Sequence, residues 1–130
     1  LPILGENHPD VALSYNNIGS VYNDMGDYSK ALEYLEKSLR IRLSVLGENH
    51  PDVALSYNNI GFVYGATGDY SKALEYLEKS LRIRLLVLGE DHPKTKDVQE
   101  NIEEVRQKLM ESSGSSSGGF SLSKLFKKKK

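Results

Sequence analysis

The stretch "LGENHPDVALSYNNIG" occupies residues 4–19 and recurs letter for letter at residues 46–61. Working outward from it, a shift of 42 residues pairs 4–45 with 46–87, and only five pairs differ: Ser20/Phe62, Asn23/Gly65, Asp24/Ala66, Met25/Thr67 and Ser44/Leu86. A repeat of a few tens of residues is the mark of a solenoid, in which each unit buries its apolar face only by stacking on its neighbours. Inside one unit Ala12, Tyr15, Ile18, Gly19 and Tyr22 recur at spacings of three and four, and so do Ala31, Leu32, Leu35, Leu39 and Leu43. Both segments predict amphipathic helices, here called A and B.

Punctuation residues set the ends. Pro9 suits the first position of helix A, where a missing N–H costs nothing, and Asp10 lies at the positive end of the helix dipole. Gly26 is placed for a left-handed cap, and helix B starts near Tyr28 or Ser29 and stops at Gly47. The short "GDY" turn makes the two helices antiparallel. Gly19 and Gly61 lie inside helix A, where glycine costs about 1 kcal/mol relative to alanine, so a close approach of helix B is expected there.

The third copy decays. "LGEDHPKTKDVQENIEEVRQKLM" keeps Ile102, but Gln99, Glu103 and Arg106 replace the tyrosine, glycine and tyrosine, which predicts a terminal helix with a polar outer face over residues 93–111. At the other end "LPIL" aligns with "LSVL" of residues 43–46, and the first residue is not methionine. The expectation is a fragment of about two and a half units whose missing upstream repeats would stack on Ala12, Tyr15 and Tyr22.

Composition bounds the rest. With 38% apolar and 27% charged residues the 130-residue chain has a globular make-up, and its apolar runs are too short to span a bilayer. The absence of cysteine excludes disulfides, thiolate metal sites and cysteine nucleophiles. His8, His50 and His92 recur without a partner at i+3 or i+4, so they read as residues at a helix N-cap rather than zinc ligands. No phosphate-cradling loop, nucleophile elbow or isolated acid pair appears, so neither an enzyme nor a cofactor is expected. The stretch "EYLEKSLRIR" reads as a solvated face with Glu33/Lys37 and Glu36/Arg40 as i,i+4 pairs.

The repeated positions resemble the tetratricopeptide repeat: Tyr15, Ile18, Gly19, Tyr22, Gly26, Asp27, Tyr28, Ala31, Leu35 and Leu39, and again Tyr57, Ile60, Gly61, Tyr64, Gly68, Asp69, Tyr70, Ala73, Leu77 and Leu81. The 42-residue period and the linker "LGENHPDVA" are similar to the kinesin light chain type. Ser38 and Ser80 depart from the family's usual alanine, and Leu43 from its frequent proline. The resemblance implies an all-α, right-handed solenoid of antiparallel helix pairs over residues 1–111, with units starting near 4 and 46. It further implies a cytoplasmic adaptor that binds a protein or peptide in the concave groove of its A helices. The groove positions it implies are Leu13, Asn16, Asn17, Ser20, Asn23 and Asp24, then Leu55, Asn58, Asn59, Phe62, Gly65 and Ala66. Asparagine offers a donor and an acceptor to an extended backbone. Four of the five differences between the copies fall at or beside these positions. Relatives that clamp a C-terminal carboxylate use Lys or Arg on helix A, and the first two units have none.

After Glu111 the composition changes. Residues 112–119, "SSGSSSGG", read as a flexible linker, and residues 120–130, "FSLSKLFKKKK", as a disordered basic tail. Lys124, Lys127, Lys128, Lys129 and Lys130 give that tail +5, leaving 12 bases against 18 acids, or −6, on the rest. Weak contact of the tail with an anionic membrane or nucleic acid is the competing expectation, with the solenoid as spacer.

Overall fold

The computed structural model describes residues 7–113. The readings of the first four residues and of the linker and tail beyond 113 lie outside them. Five helices follow in order: α1 (Pro9–Asp24), α2 (Tyr28–Leu46), α3 (Pro51–Thr67), α4 (Tyr70–Leu88) and α5 (Pro93–Ser113), with no strand among the described residues.

Each A helix opens in the same way. The Nδ1 atoms of His8 and His50 each accept the backbone N–H two residues on, from Asp10 and Asp52, at 3.0 Å, and His92 accepts from Lys94 at 3.1 Å. A helix start leaves backbone donors without intrahelical partners, and an imidazole lone pair satisfies one of them. Asp27 and Asp69 perform the same task for α2 and α4, accepting from the N–H of Lys30 and Lys72 at 3.2 Å. Between the two helices of a unit, Gly26 and Gly68 take φ of +83° and +89°. The next N–H then reaches back, Asp27 to the Tyr22 carbonyl at 2.9 Å and Asp69 to that of Tyr64 at 3.0 Å.

The hairpins are tight where glycine allows it. A Cβ on Gly19 would stand 2.7 Å from Leu35 Cγ and 3.1 Å from the Ala31 carbonyl oxygen; on Gly61 the corresponding distances to Leu77 and Ala73 are 3.0 and 3.2 Å. The serines that replace alanine also serve this contact. Ser38 Oγ donates to the Ala12 carbonyl at 2.7 Å and Ser80 Oγ to that of Ala54 at 2.8 Å, both buried.

Stacking of one hairpin on the next makes the core. Ala31 and Leu35 of α2 bury Ile60 and Val63 of α3, and Ala73 and Leu77 of α4 bury Val98, Ile102 and Val105 of α5. Each aliphatic side chain so covered contributes about 1.5–3 kcal/mol, an upper estimate because the unfolded chain is itself partly collapsed. On the outside, Glu33–Lys37 and Glu75–Lys79 pair at 3.9 and 4.0 Å across one turn. These half-exposed pairs are worth only a few tenths of a kcal/mol each.

Three details differ from the sequence reading. Arg42, which closes the "solvated" stretch, is 4% exposed, and its twin Arg84 is 7% exposed. Arg42 Nη1 reaches through the stack to donate to Ser56 Oγ at 3.0 Å and to the Asp52 carbonyl at 3.3 Å. The expected upstream contact residues are also displaced, because α2 already covers them: Ala12 is fully buried and Tyr15 packs beside Val11, Ala12 and Ile41. What stands open on α1 is Ile18 and Val21, 40% and 56% exposed. Finally, α5 continues through Ser113, two residues beyond the expected break, with Ser112 Oγ donating to the Leu109 carbonyl at 3.0 Å.

Candidate functional site

The A helices stand side by side in space, and between them lies a groove of about 490 Å³. From α1 it takes Asn17, Ser20 and Asn23, and from α3 Leu55, Asn58, Asn59 and Phe62. Seven of the twelve residues expected to line it are therefore brought together. Leu13 and Asp24 are exposed but lie outside this concavity, Ala66 is half-buried outside it, and Gly65 is buried.

Asn16 is the instructive exception. It is 6% exposed, and its Oδ1 accepts a hydrogen bond from Asn59 Nδ2 at 3.1 Å. Its side-chain oxygen is spent on tying α1 to α3. Asn23 and Asn58 are in the opposite condition: each has a buried Oδ1 that no donor of the protein reaches. A buried acceptor without a donor costs about 1–3 kcal/mol, and a rotation of either amide that brings its oxygen to a ligand N–H would relieve that cost. Around them the floor is apolar, with Leu35 and Val63 beside Phe62 and Leu55.

Four lining groups escaped the sequence reading of the groove: Arg84 from α4 and Lys94, Asp97 and Asn101 from α5. The third copy's first turn carries Lys94 where the other units carry Asp10 and Asp52, a signal legible in principle. Arg84 was hidden among exposed charges. Desolvation by burial lowers its pKa from the usual arginine value, and Asp97 opposes that shift; burial likewise lowers Arg42, with Asp52 opposing. Both guanidinium groups stay charged at neutral pH.

A second repeated arrangement lies along each hairpin. Tyr34 stacks on Tyr22 at 5.7 Å and meets Tyr15 at 5.9 Å, with Lys37 Nζ 5.4 Å from its ring centre. Tyr76 repeats the pattern with Tyr64 and Tyr57, under Lys79. Burial, followed by neighbouring tyrosines and glutamates, pushes the Tyr76 hydroxyl pKa up. Each ring cluster is closed by its own lysine and serves as a seam of the unit. Among the described residues no group of three or more His, Asp or Glu stands where it could hold a metal.

Paired helices with glycine at the crossing, stacked at a 42-residue period around a shared groove, define a helical-repeat scaffold. The family model described as Tetratricopeptide repeat matches residues 10–86 and 52–110, and the chain belongs to that family. Among solved structures it is similar to a putative kinesin light chain of Podosopora anserina with nearly identical TPR-like repeats, at 25% identity and a TM-score of 0.76, over 85% of this chain and 52% of that one. It also shares its fold with BtubC (BKLC) from P. vanneervenii, at 22% identity and a TM-score of 0.73, over 82% of this chain and 42% of that one. The chain thus spans about half the length of these structures or less. No curated protein sequence matches it. The 42-residue repeats are similar to those of that putative kinesin light chain.

Proposed function

We propose that the chain is an adaptor that holds an extended peptide segment of a partner protein in the groove between α1, α3 and α5. The observation that carries this reading is the pair of buried, unpartnered Oδ1 atoms of Asn23 and Asn58 beside an apolar floor. A peptide backbone in extended form presents N–H groups at regular intervals, and side chains of alternate residues reach the surface beneath it. Asn58 and Asn23 take the backbone, and Phe62 and Leu55 take an apolar side chain. The exposed Asn17 supplies a further amide.

The test uses peptides selected from a random displayed library against the 130-residue chain, with affinity read by fluorescence polarisation. Asn58→Leu keeps the side-chain size and removes the acceptor. It is expected to weaken a selected peptide about tenfold, the loss of roughly one hydrogen bond made in a desolvated site. Lys37→Ala, on the outer seam, is expected to leave affinity unchanged. Unaltered binding by the Asn58 variant, or loss only in the Lys37 variant, would sink the proposal.

A further inference from the structure

Outside its described helices the chain carries a segment with the character that the groove asks of a ligand. Residues 120–123 read "FSLS", apolar and hydroxyl side chains in alternation, and five lysines lie between there and residue 130. In an extended strand such alternation sets every second side chain on one face. Phe120 and Leu122 then make a single apolar row. The groove offers the complement, with Phe62 and Leu55 for apolar side chains and Asn17 and Ser20 beside them for a backbone.

Charge favours one end of that groove. Ser20, Asn23 and Phe62 lie toward the C-termini of α1 and α3, and neither helix has a basic residue in its last turn. A helix C-terminus carries partial negative charge that a cation satisfies. Asp24 and Asp27 are exposed at the same rim, whereas Lys30 and Lys72 sit over the rings of Tyr22 and Tyr64, 5.7 and 5.5 Å from their centres. The groove's own cations belong to its other end, where Arg84 donates to the carbonyl of Lys94 in the first turn of α5. Reach is sufficient as well. Glu104 holds in α5 the place of Phe62 in α3. From Glu104 to Ser113 the helix rises about 14 Å, and neighbouring helices stand about 10 Å apart, so Ser113 is about 17 Å from Phe62. The links from Ser113 to Phe120 extend to about 24 Å.

From this we infer that residues 120–130 dock into the groove of their own chain and compete there with outside peptides. The inference rests on the groove being a peptide site, and it names the regulator of that site. Phe120 and Leu122 seat on the apolar patch around Phe62, and the backbone between them passes the asparagine amides. Lys124, about 13 Å further on in an extended chain, reaches the α1 rim at Asp24 and Asp27, with the last four lysines beyond it. A tether of a few glycines and serines gives the segment an effective concentration on the order of millimolar, so an intrinsic dissociation constant of about 0.1 mM suppresses an outside ligand about tenfold. Salt acts on the lysine contacts more than on the apolar ones. Raised ionic strength therefore releases the segment and strengthens the binding of an uncharged peptide.

The test uses the full chain. It contains no cysteine, so Ser123→Cys carries a single nitroxide whose paramagnetic broadening is read by NMR. Amides of Ser20, Asn23 and Phe62 are expected to lose intensity, those of Lys37 and Lys79 to keep it, and the loss to disappear with Phe120→Ser and Leu122→Ser. Broadening confined to the last turn of α5, or left untouched by those two substitutions, overturns the inference. Broadening seen only between a nitroxide-bearing chain and a second, isotope-labelled one overturns it in favour of docking on another copy. A label that reports nothing until anionic phospholipid vesicles are added overturns it in favour of a membrane surface. In fluorescence polarisation, the unlabelled Phe120→Ser, Leu122→Ser chain is expected to bind an uncharged library-selected peptide about tenfold more tightly than wild type. Equal affinity of the two chains rejects the competing tail and leaves the groove reading standing. Broadening at Phe62 in a chain whose groove no selected peptide enters supports the tail contact and rejects the groove as a site for outside partners.

Discussion

Single atoms decide the hairpin. Gly19 is retained at a cost of about 1 kcal/mol in helix propensity because a methyl group there would lie inside contact distance of Leu35. Gly19→Leu is therefore expected to destabilise the chain by about 1–3 kcal/mol, the usual penalty of overpacking, and to lower the thermal midpoint. An unchanged midpoint in a melting curve would remove the close-contact explanation. The sequence was informative here, since glycine on the packed face of an amphipathic helix has few other reasons to exist. It was less informative about the paired asparagines. Asn16 and Asn17 are adjacent and chemically equal, and only the rotation of α1 against α3 turns one into a buried strut and leaves the other exposed. The two arginines show the same limit from the other side: a long charged side chain in a charged stretch predicts exposure, and its stem can equally lie along an apolar seam.

At the scale of helices, the punctuation was legible almost to the residue. The "HPD" start fixes α1 and α3 because the imidazole, the proline and the acid each suit a helix N-terminus for a separate physical reason. His50→Ala is expected to cost about 1 kcal/mol in a denaturant titration, and His50→Asn, which keeps a capping acceptor, considerably less. Equal losses from both would mean that the ring packs rather than caps. The open stripe of Ile18 and Val21 was harder to see, because periodicity assigns a residue to an apolar face without saying which neighbour covers it. Tyr15 and Tyr22 carry the stronger apolar signal, yet they face their own hairpin.

Over the whole molecule, stability is a sum of units and the junctions between them. The junctions here share one face, that of the identical B helices, and differ on the other, where α5 departs from α3. Native-state hydrogen exchange is expected to show α5 opening at lower free energy than α3, since α5 packs chiefly on α4 whereas α3 packs against both α2 and α4. Slower exchange in α5 than in α3 would contradict that ranking. The groove belongs to this scale too. No single helix contains it, and its arginine comes from a B helix that family resemblance would not have consulted. The differences between the two copies pointed to this surface, because Ser20/Phe62 and Asn23/Gly65 alter its lining or its border while leaving the packing residues alike.

The central claim, that the groove takes a peptide backbone on orphaned asparagine oxygens, is tested most directly by the side-chain amide resonances of the protein. In a titration with a library-selected peptide followed by NMR, the Nδ2 signals of Asn23 and Asn58 are expected to shift most, together with backbone amides near Phe62, while those near Lys37 and Lys79 stay in place. Shifts confined to the outer tyrosine seam, with the Asn23 and Asn58 amides unmoved, would contradict the account.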